Sequence, residues 1–184
     1  SVSIEPGRSM VAQCGSLITR VLFVKSGETK TFLIMDAGMN DLIRPALYGA
    51  YHKIENLSAH YASKSSSDDR PGPGICESKY VEDAKAARSV RVWDRVPMKN
   101  MEPVGRDRPL EKGVGGIERE RLYDIVGPVC ESSDVWGEGR ELPYSKRGDI
   151  LAIRSTGAYG SVMSSRYNLR DLAPAVFSDD MKLK

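Results

Sequence analysis

The sequence predicts a mainly β protein, an antiparallel barrel or sandwich with short helices. Two runs near its start, "GSLITRVLFVK" and "KTFLIMDAG", are rich in apolar and β-branched residues, and "KSGETK" between them is typical of a hairpin turn. Two runs near its end, "RLYDIVGPV" and "RGDILAIRS", have the same character. We therefore expect a β domain made from residues 9–57 and 122–174.

Length and composition indicate one globular domain. The chain has 184 residues, of which 40% are hydrophobic and 28% charged. It has no apolar run long enough for a membrane helix and no secretory signal at its start, so a cytoplasmic location without membrane contact is expected. The net charge of +2 comes from interspersed charges, which argues against nucleic acid as a partner.

The cysteines and histidines argue against a disulfide framework and a metal centre. There are three cysteines and two histidines. The cysteines occur as "AQCGS", "GICES" and "PVCES", without the close pairs that a zinc site requires. We predict no metal.

The remaining segments follow from changes in pattern. Pro45 suits the first turn of a helix over "PALYGAYHKI" and disfavours helix at Arg44. Residues 58–121 are interrupted by Ser, Pro and Gly, which predicts a loop-rich insertion with a helix at 79–90. Residues 175–184 are expected to form a polar tail.

Two clusters carry residues suited to anions. "EPGR" joins an acid, a rigid turn and Arg8, whose guanidinium suits planar anions. Arg44 and Tyr48 are four residues apart at the helix start and could face one space as a carboxylate clamp. The alternatives are a surface turn with an ion pair for Arg8 and core packing for Tyr48.

Two later clusters carry a thiol and a phenol. Cys130 in "GPVCESSD" lies beside a glutamate, and a thiol exchanges a proton readily near neutral pH. Tyr159 lies between glycines in "TGAYGS", a turn that can project a phenol toward a ligand. A small core cysteine and a surface aromatic are the alternatives. Cys76 repeats the Cys-Glu-Ser sequence after a Ser/Asp/Pro-rich stretch, and we interpret it as a coincidence.

In this order, "IEPGRSMVA", "DAGMNDLIRPALYGAYH", "YDIVGPVCESSD" and "GDILAIRSTGAYGSVMSSRYN" resemble the C-terminal part of the diaminopimelate decarboxylases. These are fold-type III pyridoxal phosphate enzymes with an N-terminal (β/α)₈ barrel and a C-terminal β domain. The resemblance implies that residues 1–8 end the barrel, and that the lysine of the barrel that binds the cofactor lies outside this sequence. The chain alone is then expected to be inactive.

The resemblance assigns four residues to pyridoxal 5'-phosphate. Glu5 is expected to face the pyridine nitrogen and keep it protonated, which deepens the electron sink. Gly7 and Arg8 are expected to lie at the cofactor and the substrate. Tyr159 is expected to hydrogen-bond the cofactor phosphate.

It also assigns the substrate site, for meso-diaminopimelate. Arg8, Arg44 and Tyr48 are expected to hold the distal carboxylate, Glu131 to pair with the distal amine, and Tyr159 to touch the substrate. Cys130 is expected to protonate the α-carbon after CO₂ leaves, which gives L-lysine. In the family the cysteine and glutamate reach the active site of the opposite subunit, so a homodimer with shared sites is implied.

Two alternatives remain from the sequence. A decarboxylase of the same fold acting on ornithine, arginine or a carboxylated polyamine would lack a distal carboxylate to bind, which Arg44 with Glu131 disfavours. A truncated homologue that only binds a full-length partner would need neither the thiol nor the clamp. The sequence departs from the family in residues 58–121 and at Arg166, where the family usually has a small polar residue.

Overall fold

The computed structural model describes residues 2–59, 90–93 and 120–177, the second of these by its backbone alone. Over these residues the chain forms strands, one complete short α-helix, further helical residues at 57–59 and three short 3₁₀ helices. The 3₁₀ turns are Gly7–Met10, Ala12–Cys14 and Tyr167–Leu169. The other elements are β1 Gly15–Ser26, β2 Thr31–Met35, α1 Arg44–Tyr48, β3 Ile54–Asn56, β4 Val90–Trp93, β5 Arg121–Val126, β6 Val135–Leu142, β7 Ile150–Ile153 and β8 Ala175–Phe177.

Strand β1 belongs to two sheets. Its first half pairs antiparallel with β7 on one side, Leu17 opposite Ile153, and with β4 on the other. Its second half pairs with β2, and the register shifts between Val21 and Phe23. Such an irregularity bends a strand, so β1 passes from one sheet into the next.

The remaining strands extend both sheets into a barrel-like layer. On one side the order is β1, β2, β5, β6, and on the other β1, β7, β3. Most pairs are antiparallel, as the sequence predicts, but β2 with β5 and β4 with β8 are parallel. The mainly β prediction is confirmed, with two parallel pairs that periodicity does not reveal.

The core lies between the two sheets. All four residues of β7 are buried, and β1 buries its first half while residues 23–26 are exposed. Burial of apolar area at this scale is the main stabilising contribution to folding. The buried cluster consists of Leu17, Val21, Leu33, Met35, Ala37, Leu42, Ile54, Tyr123, Ile125, Trp136, Leu142, Leu151, Ile153 and Ala173.

The expected hairpin is present, and the expected helix is shorter than its pattern. The turn between β1 and β2 closes with a hydrogen bond from Gly27 N to Lys30 O, 2.8 Å. Helix α1 begins at Arg44, one residue earlier than Pro45 suggested, and it ends because Gly49 adopts a left-handed conformation with φ 60°. That conformation terminates helices and favours glycine. The rest of "PALYGAYHKI" leads into β3.

Two strands lie outside residues 9–57 and 122–174, where the β domain is expected. Strand β4 falls within residues 58–121, and β8 takes the first three residues of the expected tail. They pair with each other, and β4 also pairs with β1. Of the helix expected at 79–90, only Val90 is among the described residues, and it begins β4. The domain boundaries otherwise remain a prediction.

No helix among the described residues is long and apolar enough to cross a membrane.

Candidate functional site

The turn that carries Tyr159 is closely packed against the start of the chain. Gly157 donates from its N to Ala12 O, 2.9 Å, and a Cβ on Gly157 would lie 1.9 Å from Val11 O. On the other side of Tyr159, a Cβ on Gly160 would lie 2.3 Å from Thr156 O. The glycines in "GAYG" are therefore required by backbone contacts, and they fix Tyr159 with φ 63° and its ring half exposed.

Arg44 lies between two tyrosine rings. Its guanidinium carbon is 5.1 Å from the centre of the Tyr48 ring and 5.7 Å from that of Tyr159, within the range of cation–π attraction. The Arg44 Nε is buried and has no hydrogen-bond partner among the described residues. Tyr48 is 60% exposed, so it is a surface residue and core packing does not explain it.

His52 lies within electrostatic reach of Arg44. It is buried, and its Nδ1 is 2.9 Å from the carbonyl oxygen of Arg154, while Nε2 has no partner among the described residues. Burial lowers the pKa of His52, the Arg154 hydrogen bond opposes this, and the positive charges of Arg44 and Arg8 lower the pKa further. His52 is therefore neutral at pH 7, and both arginines lie within electrostatic reach of it.

Residues 5–8 form an exposed turn before β1. Gly7 has φ 56°, which favours glycine, and it begins the 3₁₀ turn that carries Arg8. Glu5 and Arg8 are exposed, and the next residues support the Tyr159 turn through Val11 and Ala12. We call Arg8, Arg44, Tyr48, His52 and Tyr159 the arginine–tyrosine cluster.

Cys130 and Glu131 are presented on a second, separate turn. Both are exposed, and the backbone around them is held by Asp134, whose carboxylate accepts hydrogen bonds from Val129 N at 2.8 Å and Met39 N at 2.7 Å. Asp134 is buried, which raises the pKa of its carboxyl, while these hydrogen bonds act to lower it. The turn is thus fastened to the loop after β2, with the thiol and the carboxylate outward.

Tyr167 contacts this turn. Its hydroxyl donates a hydrogen bond to Oε1 of Glu131. That bond, the charge of Glu131, a little burial and the nearby Cys130 thiol raise the pKa of Tyr167. Cys130, Glu131 and Tyr167 form a second group, which we call the cysteine–glutamate turn.

The structure brings the sequence-predicted residues into two groups. In the first group Arg44 contacts the rings of Tyr48 and Tyr159, and Arg8 and Arg44 lie within electrostatic reach of His52. In the parts of the chain that are described, no hydrogen bond, ion pair or ring contact joins this group to Cys130 or Glu131. Glu5 is exposed beside the first group with no such contact in those same parts. Cys76 lies outside the described residues, and Cys14 donates its thiol to Val11 O, 2.8 Å.

Comparison with protein families gives a match over most of the chain. The family of pyridoxal-dependent decarboxylases, C-terminal sheet domain, matches residues 10–112 and 91–157. The chain belongs to this family. The decarboxylases of the family use a pyridoxal cofactor, as the resemblance implies.

Individual pyridoxal-dependent decarboxylases are similar over nearly the whole chain. The diaminopimelate decarboxylase of Bacteroides thetaiotaomicron is 39% identical over 181 residues, which cover 98% of this chain and 32% of the relative. That of Escherichia coli K12 is 35% identical over 97% of this chain and 32% of the relative. The chain thus spans about a third of the length of the relatives it matches.

Solved structures give the same result. Diaminopimelate decarboxylase from Helicobacter pylori, complexed with L-lysine, has a TM-score of 0.59 at 33% identity, and covers 96% of this chain and 30% of that one. Lysine decarboxylase from Selenomonas ruminantium has a TM-score of 0.57 at 18% identity over 95% of this chain and 31% of that one, which shows a shared fold alone.

The arginine–tyrosine cluster of this decarboxylase domain fits an anionic cofactor. It combines two guanidinium groups with two phenols, and neither guanidinium is paired with a carboxylate within the described ranges. The buried Arg44 Nε is a donor without a hydrogen-bond partner in those ranges. Phosphates and carboxylates are the groups that such donors bind. Among the same residues there is no cluster of three side chains able to hold a metal ion.

Four of the residues described above are absent from the sequence prediction. His52 gave a weak signal, since it is one of only two histidines. Gly157 and Gly160 were visible as flanks of Tyr159, but their backbone contacts were not. Tyr167 gave no signal, because its partner Glu131 is remote in sequence.

Proposed function

We propose that this chain is the C-terminal domain of a diaminopimelate decarboxylase, which converts meso-diaminopimelate to L-lysine and CO₂ with pyridoxal 5'-phosphate. The observation that carries the proposal is Arg44 between the rings of Tyr48 and Tyr159, with its buried Nε free of a partner among the described residues. A substrate with a carboxylate at its far end needs such a clamp. Relatives with this name are similar over nearly the whole chain.

The arginine–tyrosine cluster would bind two anionic groups, the phosphate of the cofactor and the distal carboxylate of the substrate. Tyr159 donates its hydroxyl to the cofactor phosphate, and its fixed turn sets the direction of that hydroxyl. Arg8, Arg44 and Tyr48 bind the distal carboxylate of the substrate. His52 is neutral, so it adds no positive charge that would repel Arg8 and Arg44.

Glu5 and Gly7 would serve the cofactor from the turn before β1. Glu5 holds a proton at the pyridine nitrogen, and Gly7 lets the backbone approach closely because it has no Cβ. The cofactor, when bound, supplies an electron sink for the electron pair left by departing CO₂.

The cysteine–glutamate turn would serve the other end of the substrate. Glu131 pairs with the distal ammonium group, and Cys130 delivers a proton from Sγ to the α-carbon. Both side chains are exposed on a turn whose backbone is held by the hydrogen bonds to Asp134. Side chains that enter the active site of another subunit must be exposed in this way. Their lack of contact with the arginine–tyrosine cluster in the described chain supports a homodimer in which each subunit contributes to its partner's site.

The test is a chimera in which this chain replaces the matching region of the Bacteroides thetaiotaomicron relative. We expect CO₂ release from meso-diaminopimelate and none from ornithine, which lacks the distal carboxylate. Arg44→Ala is expected to weaken substrate binding by about 2 to 5 kcal/mol, since it leaves a buried carboxylate unpaired. Equal turnover of ornithine would contradict the proposed substrate.

Cys130→Ala tests the proton donor in the same chimera. Turnover is expected to fall about 10²- to 10⁴-fold, the usual contribution of a positioned acid, while cofactor absorbance stays normal. Cys76→Ala is the matched control, since it removes a thiol from the same Cys-Glu-Ser sequence. Loss of turnover in the control with retention in Cys130→Ala would overturn the assignment.

A further inference from the structure

The segment from Ser165 to Arg170 has no role in the function proposed above, yet it is held at both ends. Ser165 N donates to Asn40 O, 2.9 Å, and the guanidinium of Arg170 donates to the carbonyl of Asp36. Both acceptors belong to the loop after β2, the loop to which Asp134 also fastens the cysteine–glutamate turn. The segment and the cysteine–glutamate turn are therefore both hydrogen-bonded to the loop after β2.

The backbone between these anchors is strained. Asn168 has φ 59° and Leu169 has φ 57°, two consecutive left-handed residues without a glycine. L-residues rarely adopt this conformation, and it persists where the surroundings impose it. Burial does not explain it here, because Leu169 is 99% exposed. The strained residues lie between Tyr167 and the anchor at Arg170.

The side chain of Tyr167 contacts Glu131. The Tyr167 hydroxyl donates to Oε1 of Glu131, and Glu131 is itself fixed in the backbone, because its N donates to Val129 O, 2.8 Å, and its O accepts from Asp134 N, 3.1 Å. A glutamate side chain on an exposed turn otherwise samples several rotamers. The phenol occupies one carboxylate oxygen and leaves Oε2 for another donor.

The Tyr167 hydroxyl keeps its proton and can therefore donate this hydrogen bond. The hydrogen bond to Glu131 and the charge of that carboxylate raise the pKa of Tyr167 above its usual value of 10.0, so the hydroxyl keeps its proton at every pH at which an enzyme of this kind works. The nearby Cys130 has the same effect on the pKa.

We propose that Tyr167 is a positioning residue, which holds the Glu131 carboxylate in the one rotamer that offers Oε2 to the ammonium group of the substrate. This inference rests on the proposed function, in which Glu131 recognises the distal amine. Tyr167 itself touches neither substrate nor cofactor; it acts through Glu131 and thereby sets the preference for substrates with a second amine.

The first experiment compares two substrates in the chimera. Tyr167→Phe is expected to raise KM for meso-diaminopimelate about tenfold and to change kcat less than about threefold, because it removes one hydrogen bond to a charged group. For 2-aminopimelate, which keeps both carboxylates and lacks one amine, KM is expected to stay unchanged. A purely structural role would raise both KM values alike, and that result would overturn the inference.

Two variants sharpen the comparison. In a Glu131→Gln background, Tyr167→Phe is expected to add less than about twofold to KM, since the two residues act as one unit. Independent, multiplicative effects would contradict the inference. Tyr144→Phe is the matched control: it removes a hydroxyl from a tyrosine whose ring contacts Arg121, away from Glu131, and is expected to leave both KM values unchanged.

A second experiment needs no turnover, so it separates this inference from the proposed function. In the 184-residue chain with ¹³Cζ-labelled tyrosine, the resonance missing from Tyr167→Phe identifies Tyr167. Its pKa is expected to fall in Glu131→Gln and to stay unchanged in Glu138→Gln, an exposed carboxylate paired with Lys30. A Tyr167 pKa insensitive to Glu131→Gln would overturn the inference even where the chimera is active. An inactive chimera with the expected pKa change would instead count against the proposed function.

Discussion

The charge and the shape of the arginine–tyrosine cluster depend on two residues that contact no ligand in the proposed function. His52 is kept neutral by burial and by two arginines, and Gly157 leaves room for the carbonyl of Val11. Each makes a contribution that can be measured without any substrate. The two positions therefore allow tests of the structure itself, separate from the proposed chemistry.

His52 is expected to make stability depend on pH. Its pKa in the folded chain lies below the usual 6.5, so above pH 6.5 both states are neutral there and the stability is fully present. As pH falls below 6.5, the unfolded chain binds a proton that the folded chain does not, and the free energy of unfolding drops by up to about 1.4 kcal/mol per pH unit. Urea unfolding between pH 5 and 7.5 measures this slope.

A matched pair of variants identifies the group responsible. His52→Asn keeps a donor for the Arg154 carbonyl without a titrating ring, and is expected to flatten the slope below pH 6.5. His60→Asn removes the other histidine of the chain and is expected to leave the slope as it is. An unchanged slope in His52→Asn would show that another group titrates.

Gly157→Ala is expected to lower the free energy of unfolding by about 1 to 3 kcal/mol, because its Cβ would overlap a backbone oxygen that cannot move freely. Thermal unfolding of the chain provides the measurement. At Gly27, where a Cβ would find its nearest atom 3.4 Å away, the same substitution is expected to stay within about 0.5 kcal/mol. Equal losses at both sites would contradict the close packing of the Tyr159 turn.

At the scale of elements, the site depends on how β1 and β2 are joined. Thr19 Oγ1 donates to Asp36 Oδ1 at 2.5 Å and accepts from Ala37 N at 3.0 Å, and Asp36 also accepts from Arg20 N at 2.9 Å. Thr19 and Asp36 are buried, and burial raises the pKa of the Asp36 carboxyl while these hydrogen bonds oppose that. This pair sets the direction of the loop that leads to Arg44.

Thr19→Val is expected to lower the free energy of unfolding by about 1 to 3 kcal/mol, since it removes one hydrogen bond to Asp36 Oδ1, which keeps that from Arg20 N, and takes away the acceptor of the Ala37 N–H. Chemical unfolding measures the loss. Thr31→Val, the same change on the half-buried end of β2, is expected to shift stability by less than about 0.5 kcal/mol. A loss in Thr31→Val as large as that in Thr19→Val would mean that strand packing in general, and not this pair, is responsible.

The elements that sequence predicted are those whose signal is local. The β1–β2 hairpin has its turn between the runs it joins, and Arg44 and Tyr48 are four residues apart, so both follow from short-range pattern. Strands β4 and β8 pair with each other and with β1 across long stretches of chain, which no local pattern encodes. Glu131 and Tyr167 meet because their two loops are both hydrogen-bonded to the loop after β2. This contact likewise depends on the tertiary fold and not on local sequence.

At the scale of the whole molecule, the two groups of residues predict how subunits cooperate. If the cysteine–glutamate turn serves the partner's site, a chimera with Cys130→Ala and one with Arg44→Ala each have two damaged sites. A mixed dimer places both changes in one site and leaves the other intact. At a substrate concentration well below the raised KM of Arg44→Ala, both chimeras are nearly inactive, and mixing them 1:1 under exchange is expected to restore about a quarter of the parent activity. Sites built within one subunit would give no recovery, and CO₂ release measures the difference.

Because β1 pairs with strands of both sheets, it also affects the order in which the domain folds. Its second half meets β2 across a short turn, so that hairpin can close early, whereas Leu17 must wait for Ile153, which is synthesised much later. Strand β4 is made earlier and can pair with one edge of the first half of β1, but the other edge stays unpaired until β7 is made, and contacts so distant along a chain form slowly. We expect nascent chains that stop before β7 to depend on chaperones, with the apolar first half of β1 as the segment they bind.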